Sequence, residues 1–249
     1  MVEMPALFKL LNSIPVYTND PNTVSRGDGF YSDDDWYCTR LKTNIFYSNP
    51  SKNHYFEMIF DSPEKIKSAN DLCSSFDFSA YNRIGDIGGI PFSQSWVINK
   101  IHPKIEFYLT DNDKLSLDKH RISPPFSHSK CSFFEFDVTK DDLNIFKDCI
   151  LLTMWGVDYH LSDSQFIDLI QKVKSLKKSL LIASVNIDDI SQTRRFVSRV
   201  SKKISTLRGF SRRIGILRNS NYIHKLSDLA GSKCNCVCKN DFYRFFYIR

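Results

Sequence analysis

From residue 81 to the C-terminus, short apolar runs alternate with segments of helical periodicity, and this alternation limits the fold more than any other feature of the chain. Such a pattern is typical of βαβ units, in which successive strands form a mostly parallel sheet covered by helices on both faces. We therefore predict an α/β domain over residues 81–249. Its first five strands are expected at residues 81–86, 105–110, 131–136, 149–154 and 179–185.

Helical patterns lie between and after these runs. Ser162 precedes an apolar stripe of helical period and is followed three residues later by Gln165, a pattern that predicts a capping box at the start of a helix. Two final apolar runs, residues 233–238 and 242–248, flank a Lys-Asn-Asp turn and predict an antiparallel hairpin. Further helices are expected at residues 92–101, from Thr139 onward, at 190–207 and at 222–230.

The first 80 residues lack this alternation. Residues 5–14 and 54–76 have helical patterns, whereas residues 18–35 are polar, rich in turn-forming residues and expected to be irregular. Because no large apolar core is evident here, we expect residues 1–80 to form a helical and irregular cap or lid on the α/β domain.

Composition argues against several classes of protein. Hydrophobic residues make up 42% of the 249 residues, enough to bury a sizeable core, and no run approaches the roughly 20 apolar residues of a membrane-spanning helix. The N-terminal sequence lacks the pattern of a secretory signal, and the seven cysteines show no disulfide framework. We therefore expect a cytoplasmic protein without a membrane partner, and leave its oligomeric state open.

Positive charge is concentrated in one segment. The net charge is +6, and between Lys172 and Lys225 fourteen lysines and arginines stand against two acids, Asp188 and Asp189. Such a segment indicates either a surface for an anionic partner or a helix face exposed to solvent, and both interpretations stay open. The anionic partner could be RNA or a phosphate-bearing small molecule. Residues 189–221 are longer than a bare connection requires, so we expect them to form a basic insertion.

Three predicted strands end in carboxylates. Asp86-Ile87-Gly88-Gly89 follows the first strand, Asp111 the second and Asp137 the third. In an open parallel sheet, ligands bind beyond the carboxyl ends of the strands, where glycine permits close approach of the backbone and a carboxylate accepts hydrogen bonds from ribose hydroxyls. The three acids together predict a nucleotide-type ligand at this edge of the sheet.

Residues 77–89 resemble motif I of class I S-adenosylmethionine (SAM)-dependent methyltransferases. The residues around the strand, Phe-Ser before it and Asp-x-Gly-Gly after it, are most similar to the small-molecule O-methyltransferase branch of that class. Residues 54–58 and the helix after them are similar to the helix that precedes motif I in that branch. The resemblance implies a Rossmann-like, seven-stranded, mostly parallel sheet with an antiparallel C-terminal hairpin, helices on both faces and an N-terminal helical cap. It also implies methyl transfer from SAM to an oxygen or nitrogen of a small-molecule acceptor, with S-adenosylhomocysteine (SAH) as product.

The resemblance further implies which residues contact the cofactor. Asp86, Gly88 and Gly89 are implied at the methionine end, Asp111 at the ribose, Asp137 and Val138 beside the adenine, and Trp155 near the sulfonium. In the family, however, motif I usually continues with further glycine, whereas here Gly89 is followed by Ile90-Pro91-Phe92. A degenerate, non-catalytic binding module therefore stays an alternative, as does an RNA methyltransferase that uses the basic segment 172–225.

Methyl transfer needs little covalent help from the protein, which supplies alignment of the acceptor and in some enzymes a base for its proton. The segment after the fourth strand offers His160 and Asp158 as candidate bases and Tyr159 as a candidate substrate contact. The resemblance implies that the insertion 189–221 lies over the acceptor site as a basic cover. Arg212, within this cover, is a candidate contact for an acidic or phosphorylated acceptor.

Cys234, Cys236 and Cys238 alternate along a predicted strand. Alternate residues of a strand point to one side and these three would spread over about 13 Å. This spacing suits three small buried thiols better than the tight turn of a zinc site. We therefore predict no metal site.

Overall fold

The computed structural model of the protein describes residues 16–17, 23–25, 63–89, 92–112, 114–121, 130–188 and 216–249. These ranges contain ten strands, which fall into two sheets. The strands are β1 (Val16–Tyr17), β2 (Thr23–Ser25), β3 (Arg83–Ile87), β4 (Glu106–Asp111), β5 (Cys131–Glu135), β6 (Leu151–Trp155), β7 (Ser179–Val185), β8 (Ile216–Arg218), β9 (Cys234–Lys239) and β10 (Tyr243–Ile248).

Seven of these strands form one mixed sheet in the order β5-β4-β3-β6-β7-β10-β9. Strands β3 to β7 are parallel to one another, whereas β10 is antiparallel to both of its neighbours. The predicted Rossmann-like sheet with an antiparallel C-terminal hairpin is confirmed.

Five α-helices of the described ranges cover both faces of this sheet. They are α1 (Pro63–Ser75), α2 (Ser93–Ile101), α3 (Lys114–Arg121), α4 (Asp163–Ser175) and α5 (Ser220–Leu229). Phe166 of α4 and Ile223 of α5 belong to the core on one face. Leu72 of α1, Ile98 of α2 and Leu117 of α3 belong to the core on the other. None of these five helices is long and apolar enough to cross a membrane.

Helix α1 shows where part of the first 80 residues lies. Leu72 is fully buried in the core of its face. The side-chain amide of Asn240, in the terminal hairpin, donates to Ser68 Oγ at 3.0 Å and to Asp71 Oδ2 at 3.1 Å. Helix α1 therefore packs on the sheet. The cap or lid role of residues 1–80 stays a prediction, since most of that segment lies outside the described ranges.

The strand order reverses beside β3. The chain runs outward from β3 through β4 to β5 and then returns to β6 on the other side of β3. At such a switch point the carboxyl ends of the strands leave a crevice in which open α/β sheets bind ligands. Asp86 of β3 lies between Leu109 of β4 and Thr153 of β6, so it is placed at this point.

Helix α4 begins as the sequence predicts. Ser162 Oγ accepts a hydrogen bond from the backbone N–H of Gln165 at 3.1 Å, and Gln165 Oε1 accepts one from the backbone N–H of Ser162 at 2.8 Å. This capping box is confirmed, and it satisfies two donors that a helix start otherwise leaves unpaired.

The short helix predicted from Thr139 begins later. Residues 138–140 form a turn, and a 3₁₀ helix follows at Leu143–Phe146. The backbone N–H and the hydroxyl of Thr139 both donate to Asp137 Oδ1, at 2.9 and 2.6 Å. Local hydrogen bonds of this kind compete with helix formation, which explains the difference.

The second sheet joins distant parts of the chain in the order β1-β2-β8. Strand β2 pairs antiparallel with both neighbours and lies within the segment 18–35 that the sequence predicts to be irregular. Its partner β8 is remote in sequence, so a local pattern does not reveal the pairing. The basic helix predicted at residues 190–207 lies outside the described ranges.

Strand β9 carries three cysteines, but they do not share one side. The register with β10 shifts between Phe245 and Phe246, which marks a bulge. Cys234 packs against the core of the α4 and α5 face, Cys238 against the opposite core, and Cys236 is exposed. A bulge inserts a residue and so breaks the alternation of sides. The expectation of three buried thiols is therefore wrong. Within the described ranges, His, Cys, Asp and Glu form no group of three that could hold a metal ion.

Candidate functional site

Asp86 lies near the carboxyl end of β3, and its side chain has no exposed surface. Its Oδ2 accepts a hydrogen bond from Ser95 Oγ at 2.6 Å, and its Oδ1 accepts one from Thr153 Oγ1 at 3.1 Å. Burial is the largest cause that raises the pKa of Asp86 to about 7; the hydrogen bonds oppose it and the charge of Asp111 acts with it. The group therefore lies at the border between a neutral acid and a carboxylate near neutral pH.

Ser95, on the first turn of α2, links Asp86 to the end of β6. Its hydroxyl donates to Asp86 and accepts a hydrogen bond from the indole Nε1 of Trp155 at 2.9 Å. Ser95 is 1% exposed and Trp155 is 6% exposed, so the whole link is buried. No motif in the sequence marks Ser95, which reads as one of three polar residues at the start of a predicted helix.

Gly88 and Gly89 shape the turn after β3. Gly88 has a φ of 63°, in the left-handed region that residues with a Cβ rarely adopt. A Cβ on Gly89 would lie 2.5 Å from Asp86 Oδ2, closer than two unbonded atoms approach. Both positions therefore need glycine, and the turn beside Asp86 carries no side chain.

Phe92 ends the loop in which the resemblance expects further glycine. Its φ is 58°, its side chain is fully buried, and its ring packs edge-on against Phe133 with centroids 6.0 Å apart. Its backbone N–H donates to the carbonyl of Gly89, just before α2 begins. A residue with a side chain, Phe92, thus adopts the left-handed backbone conformation that glycine usually occupies. Ile90 and Pro91 lie outside the described residues.

Asp111 is the last residue of β4, the strand beside β3, and is 5% exposed. Its backbone carbonyl accepts a hydrogen bond from the N–H of Phe136 at 3.0 Å, which ties the end of β4 to the end of β5. Asp86 pairs with Leu109, two residues before Asp111 on the neighbouring strand, and the charge of Asp111 adds to the rise in the pKa of Asp86. The fold therefore brings together the acids that end the first two predicted strands.

Asp137 follows β5 and organises the local turn. Its carboxylate accepts the hydrogen bonds from Thr139 and also lies 3.6 Å from Lys140 Nζ. Its side chain is 25% exposed. Val138 is half-buried against the core of the α4 and α5 face. Both residues lie at the same end of the sheet as Asp111, and their contact with adenine stays a prediction.

The turn after β6 carries Asp158, Tyr159 and His160 as a short 3₁₀ helix. Asp158 is 1% exposed, and its Oδ2 accepts a hydrogen bond from Ser184 Oγ at 2.7 Å. Burial raises the pKa of Asp158, opposed first by the positive charge of Arg218. Tyr159 and His160 are half-buried, with ring centroids 4.2 Å apart. The two candidate bases therefore differ, because Asp158 lies in the interior and His160 keeps some exposure.

Arg218, at the end of β8, is fully buried and binds this same turn. Its Nη1 donates to the carbonyl of Asp158 and its Nη2 to the carbonyl of Leu161, both at 2.6 Å. Its Nε and Nη2 donate to Asp163 Oδ1 at 2.9 and 2.8 Å. From the sequence, Arg218 belongs only to the basic segment; the apolar Ile216-Leu217 before it indicates a strand but does not reveal that the arginine is buried.

Several basic residues of the segment 172–225 make contacts within the chain, one of them buried and two at the surface. Lys178 Nζ donates to two backbone carbonyls, at 3.0 and 2.8 Å. Lys172 forms an ion pair of 2.8 Å with an aspartate one turn earlier, and Lys174 donates to a backbone carbonyl. Arg212 lies outside the described residues, so its contact with an acceptor and the RNA interpretation stay predictions.

Known methyltransferases have a similar fold. Human N-acetylserotonin methyltransferase, in complex with SAM, is 16% identical with a TM-score of 0.55, over 82% of this chain and 60% of that protein. The mitomycin 7-O-methyltransferase MmcR is 15% identical with a TM-score of 0.57, over 88% of this chain and 68% of that one. An O-methyltransferase from neocarzinostatin biosynthesis, in complex with SAH and 1,4-dihydroxy-2-naphthoic acid, is 11% identical with a TM-score of 0.56, over 82% and 60%.

No protein-family model and no curated protein matches the chain. The likeness to the three enzymes is therefore one of fold, and the chain spans 60% of the length of the human enzyme. The strand order, the antiparallel hairpin and the helices on both faces agree with it. The chain has the fold of the S-adenosylmethionine-dependent O-methyltransferases.

Proposed function

We propose that the protein is a SAM-dependent methyltransferase that acts on a small-molecule acceptor. The observation that carries this proposal is the pair of carboxyl groups at the ends of the neighbouring strands β3 and β4. Asp86 and Asp111 are both buried, act on each other electrostatically and lie at the switch point of the sheet. The similar structures that contain SAM or SAH support the proposal at the level of fold.

The residues at this end of the sheet fit the cofactor. The Gly88–Gly89 turn carries no side chain, and a Cβ at Gly89 would displace the Asp86 carboxyl group. Carboxylates suit a ligand with an ammonium group and ribose hydroxyls, because they accept strong hydrogen bonds from both. We assign Asp86, Gly88 and Gly89 to the methionine end, Asp111 to the ribose, and Asp137 and Val138 to the adenine.

When bound, SAM supplies a methyl group that its positively charged sulfur has already activated. The chain then has to orient the acceptor and remove its proton. We assign Trp155 to the wall beside the sulfur, because Ser95 fixes its indole. His160 takes the acceptor proton on an imidazole nitrogen, and Tyr159 packs against the acceptor. Asp158 is assigned to the support of the turn rather than to the base, because it accepts a hydrogen bond in the interior.

The acceptor is proposed to be a small molecule with an acidic or phosphate group, methylated on oxygen or nitrogen. Arg212 and the basic cover around it are the candidates to bind that group. The neocarzinostatin enzyme was crystallised with a dihydroxynaphthoic acid, which combines a carboxylate with hydroxyl groups. That pairing of an anionic group with a methylatable oxygen supports the same acceptor class here.

Calorimetric titration of the full chain with SAM and with SAH tests the proposal. We expect both to bind, and Asp111→Asn to weaken SAM at least about tenfold, or about 1.4 kcal/mol, because charge-assisted hydrogen bonds to the ribose are lost. Asp118→Asn, on the half-exposed side of α3, is the matched control and should leave the affinity unchanged.

A folded protein that binds neither ligand at millimolar concentration would overturn the proposal. A second candidate, a non-catalytic binding module, is favoured by the presence of Phe92 in place of a loop glycine. Binding of SAM without methyl transfer to any member of a panel of hydroxylated aromatic acids and phosphates would favour that module.

A further inference from the structure

The guanidinium of Arg218 has no exposed surface. Burial of such a charge costs several kcal/mol unless the group is paired and its donors find acceptors. The carbon at the centre of the guanidinium lies 5.4 Å from the centre of the Phe166 ring, so one face of the group is covered by an apolar residue of α4. The acceptors around Arg218 are therefore tightly constrained in position.

These acceptors bracket the turn after β6. The carbonyl of Asp158 lies at the start of the turn, the carbonyl of Leu161 at its end, and the carboxylate of Asp163 on the first turn of α4. A planar guanidinium donates at fixed angles, so it fixes these three points relative to one another. A flexible ammonium group does not impose that geometry.

The same turn is held from two further directions. Tyr222 Oη donates to Asp163 Oδ2 at 2.6 Å, so α5 braces the carboxylate that Arg218 binds. Leu217, the neighbour of Arg218, is fully buried and packs in one cluster with Tyr159. Strand β8 thus holds the turn with a charged and an apolar side chain.

We propose that Arg218 is a positioning residue for the acceptor side of the site: it holds the carbonyls of Asp158 and Leu161 and thereby fixes the direction in which Tyr159 and His160 project. The functional meaning of this inference rests on the proposed function, which assigns those two side chains to the acceptor. Arg218 acts through the turn, because its bonded donors point into the protein.

Four variants of the full chain test the proposal. Arg218→Lys keeps the charge and removes the planar fork, and Arg218→Met removes the charge and keeps much of the volume. Tyr222→Phe is milder, because it removes one hydrogen bond to Asp163 and leaves Arg218 in place. Arg83→Lys is the control for the same change elsewhere, since Arg83 pairs with Glu106 and Asp148 at the opposite end of β3 from Asp86.

The readout is the NMR resonance of the His160 imidazole, identified by its loss in His160→Gln. We expect Arg218→Lys and Arg218→Met to shift this resonance and to speed amide exchange of residues 157–162 about tenfold or more. Tyr222→Phe should change both in the same direction by less, and Arg83→Lys should change neither. His102, whose ring lies 6.0 Å from that of Phe78, provides a reference away from this turn.

An unshifted His160 resonance in every folded variant would overturn the proposal. So would amide exchange that speeds no more at residues 157–162 than in β7, because an arginine that only stabilises the fold lowers protection throughout the core. If the Arg218 variants do not fold, Tyr222→Phe decides by the same two signals. SAM affinity, measured on the same samples, should stay within about twofold, since Arg218 does not contact Asp86 or Asp111. A wild-type protein that binds no SAM contradicts the proposed function, whereas the His160 result still decides the positioning role.

Discussion

At the scale of single residues, the folded protein keeps the carboxyl group of Asp86 away from water. Burial raises its pKa from 3.8 to about 7. Between these two values the folded chain holds a proton on Asp86 that the unfolded chain has released. Raising the pH through this interval therefore lowers the free energy of unfolding. Below and above the interval, both states carry the same charge at this position and the effect levels off.

Asp86→Asn should remove this pH dependence, because the asparagine side chain is neutral at every pH. The free energy of unfolding of the variant relative to the wild type should rise between about pH 4 and about pH 7, by up to about 4 kcal/mol. Urea denaturation across that range measures it. Asp118→Asn, whose carboxylate is half-exposed, serves as the control for loss of one acid. A difference between Asp86→Asn and wild type that stays constant over the range would contradict the role of burial.

Phe92 combines a buried ring with a left-handed backbone, and the two features are separable. Phe92→Ala and Phe92→Gly should both lose about 3–5 kcal/mol of stability with the ring. The glycine variant should be the more stable of the two by about 1 kcal/mol, because it alone relieves the left-handed strain. Thermal and urea denaturation rank them. An alanine variant as stable as the glycine variant would show that the backbone at this position is unstrained.

At the scale of elements, the capping box of α4 fixes the start of this helix directly after the turn that carries His160. Ser162→Ala should cost about 1 kcal/mol of stability, because the Gln165 N–H loses its acceptor. Ser175→Ala, at the exposed C-terminal end of the same helix, is the control and should cost less. Equal losses in urea denaturation for the two variants would argue against the cap.

Elements that depend on a local pattern were predictable. Strand β7 has the bounds that its apolar run predicts, and α4 starts at its predicted cap. The two strands of the terminal hairpin differ from their predicted bounds by one residue at three of their four ends, because turn residues define strand positions only loosely. The carboxylates Asp86 and Asp111 were predictable for the same reason, because each follows from where a strand ends.

The contacts that complete the site were not predictable, because they join residues remote in sequence. Ser95 meets Trp155 across 60 positions, and Arg218 meets Asp163 across 55. No periodicity encodes such a pair, and each of these four residues has an ordinary local context. Even Asp137, whose position is predicted, uses its carboxylate in a turn that the helix pattern does not reveal.

At the scale of the whole molecule, two cores on opposite faces of the sheet hold the switch point in place. Under the proposed function, β3, β4 and β5 present the cofactor residues, while β6 and β8 hold the turn assigned to the acceptor. The buried link from Asp86 through Ser95 to Trp155 joins the two parts. Under the proposed function, the cofactor residues and the turn assigned to the acceptor are thus held by parts of the chain that are remote in sequence.

The most direct test of this account is a crystal structure of the full chain with SAH. We predict density for the ligand beyond the carboxyl ends of β3 and β4, with the ribose hydroxyls at Asp111 and the methionine end beside Asp86 and Gly88. A ligand bound elsewhere on the protein would contradict the central claim. So would crystals saturated with SAH in which the loop that ends at Phe92 closes the space beyond β3 and β4 and no ligand lies there.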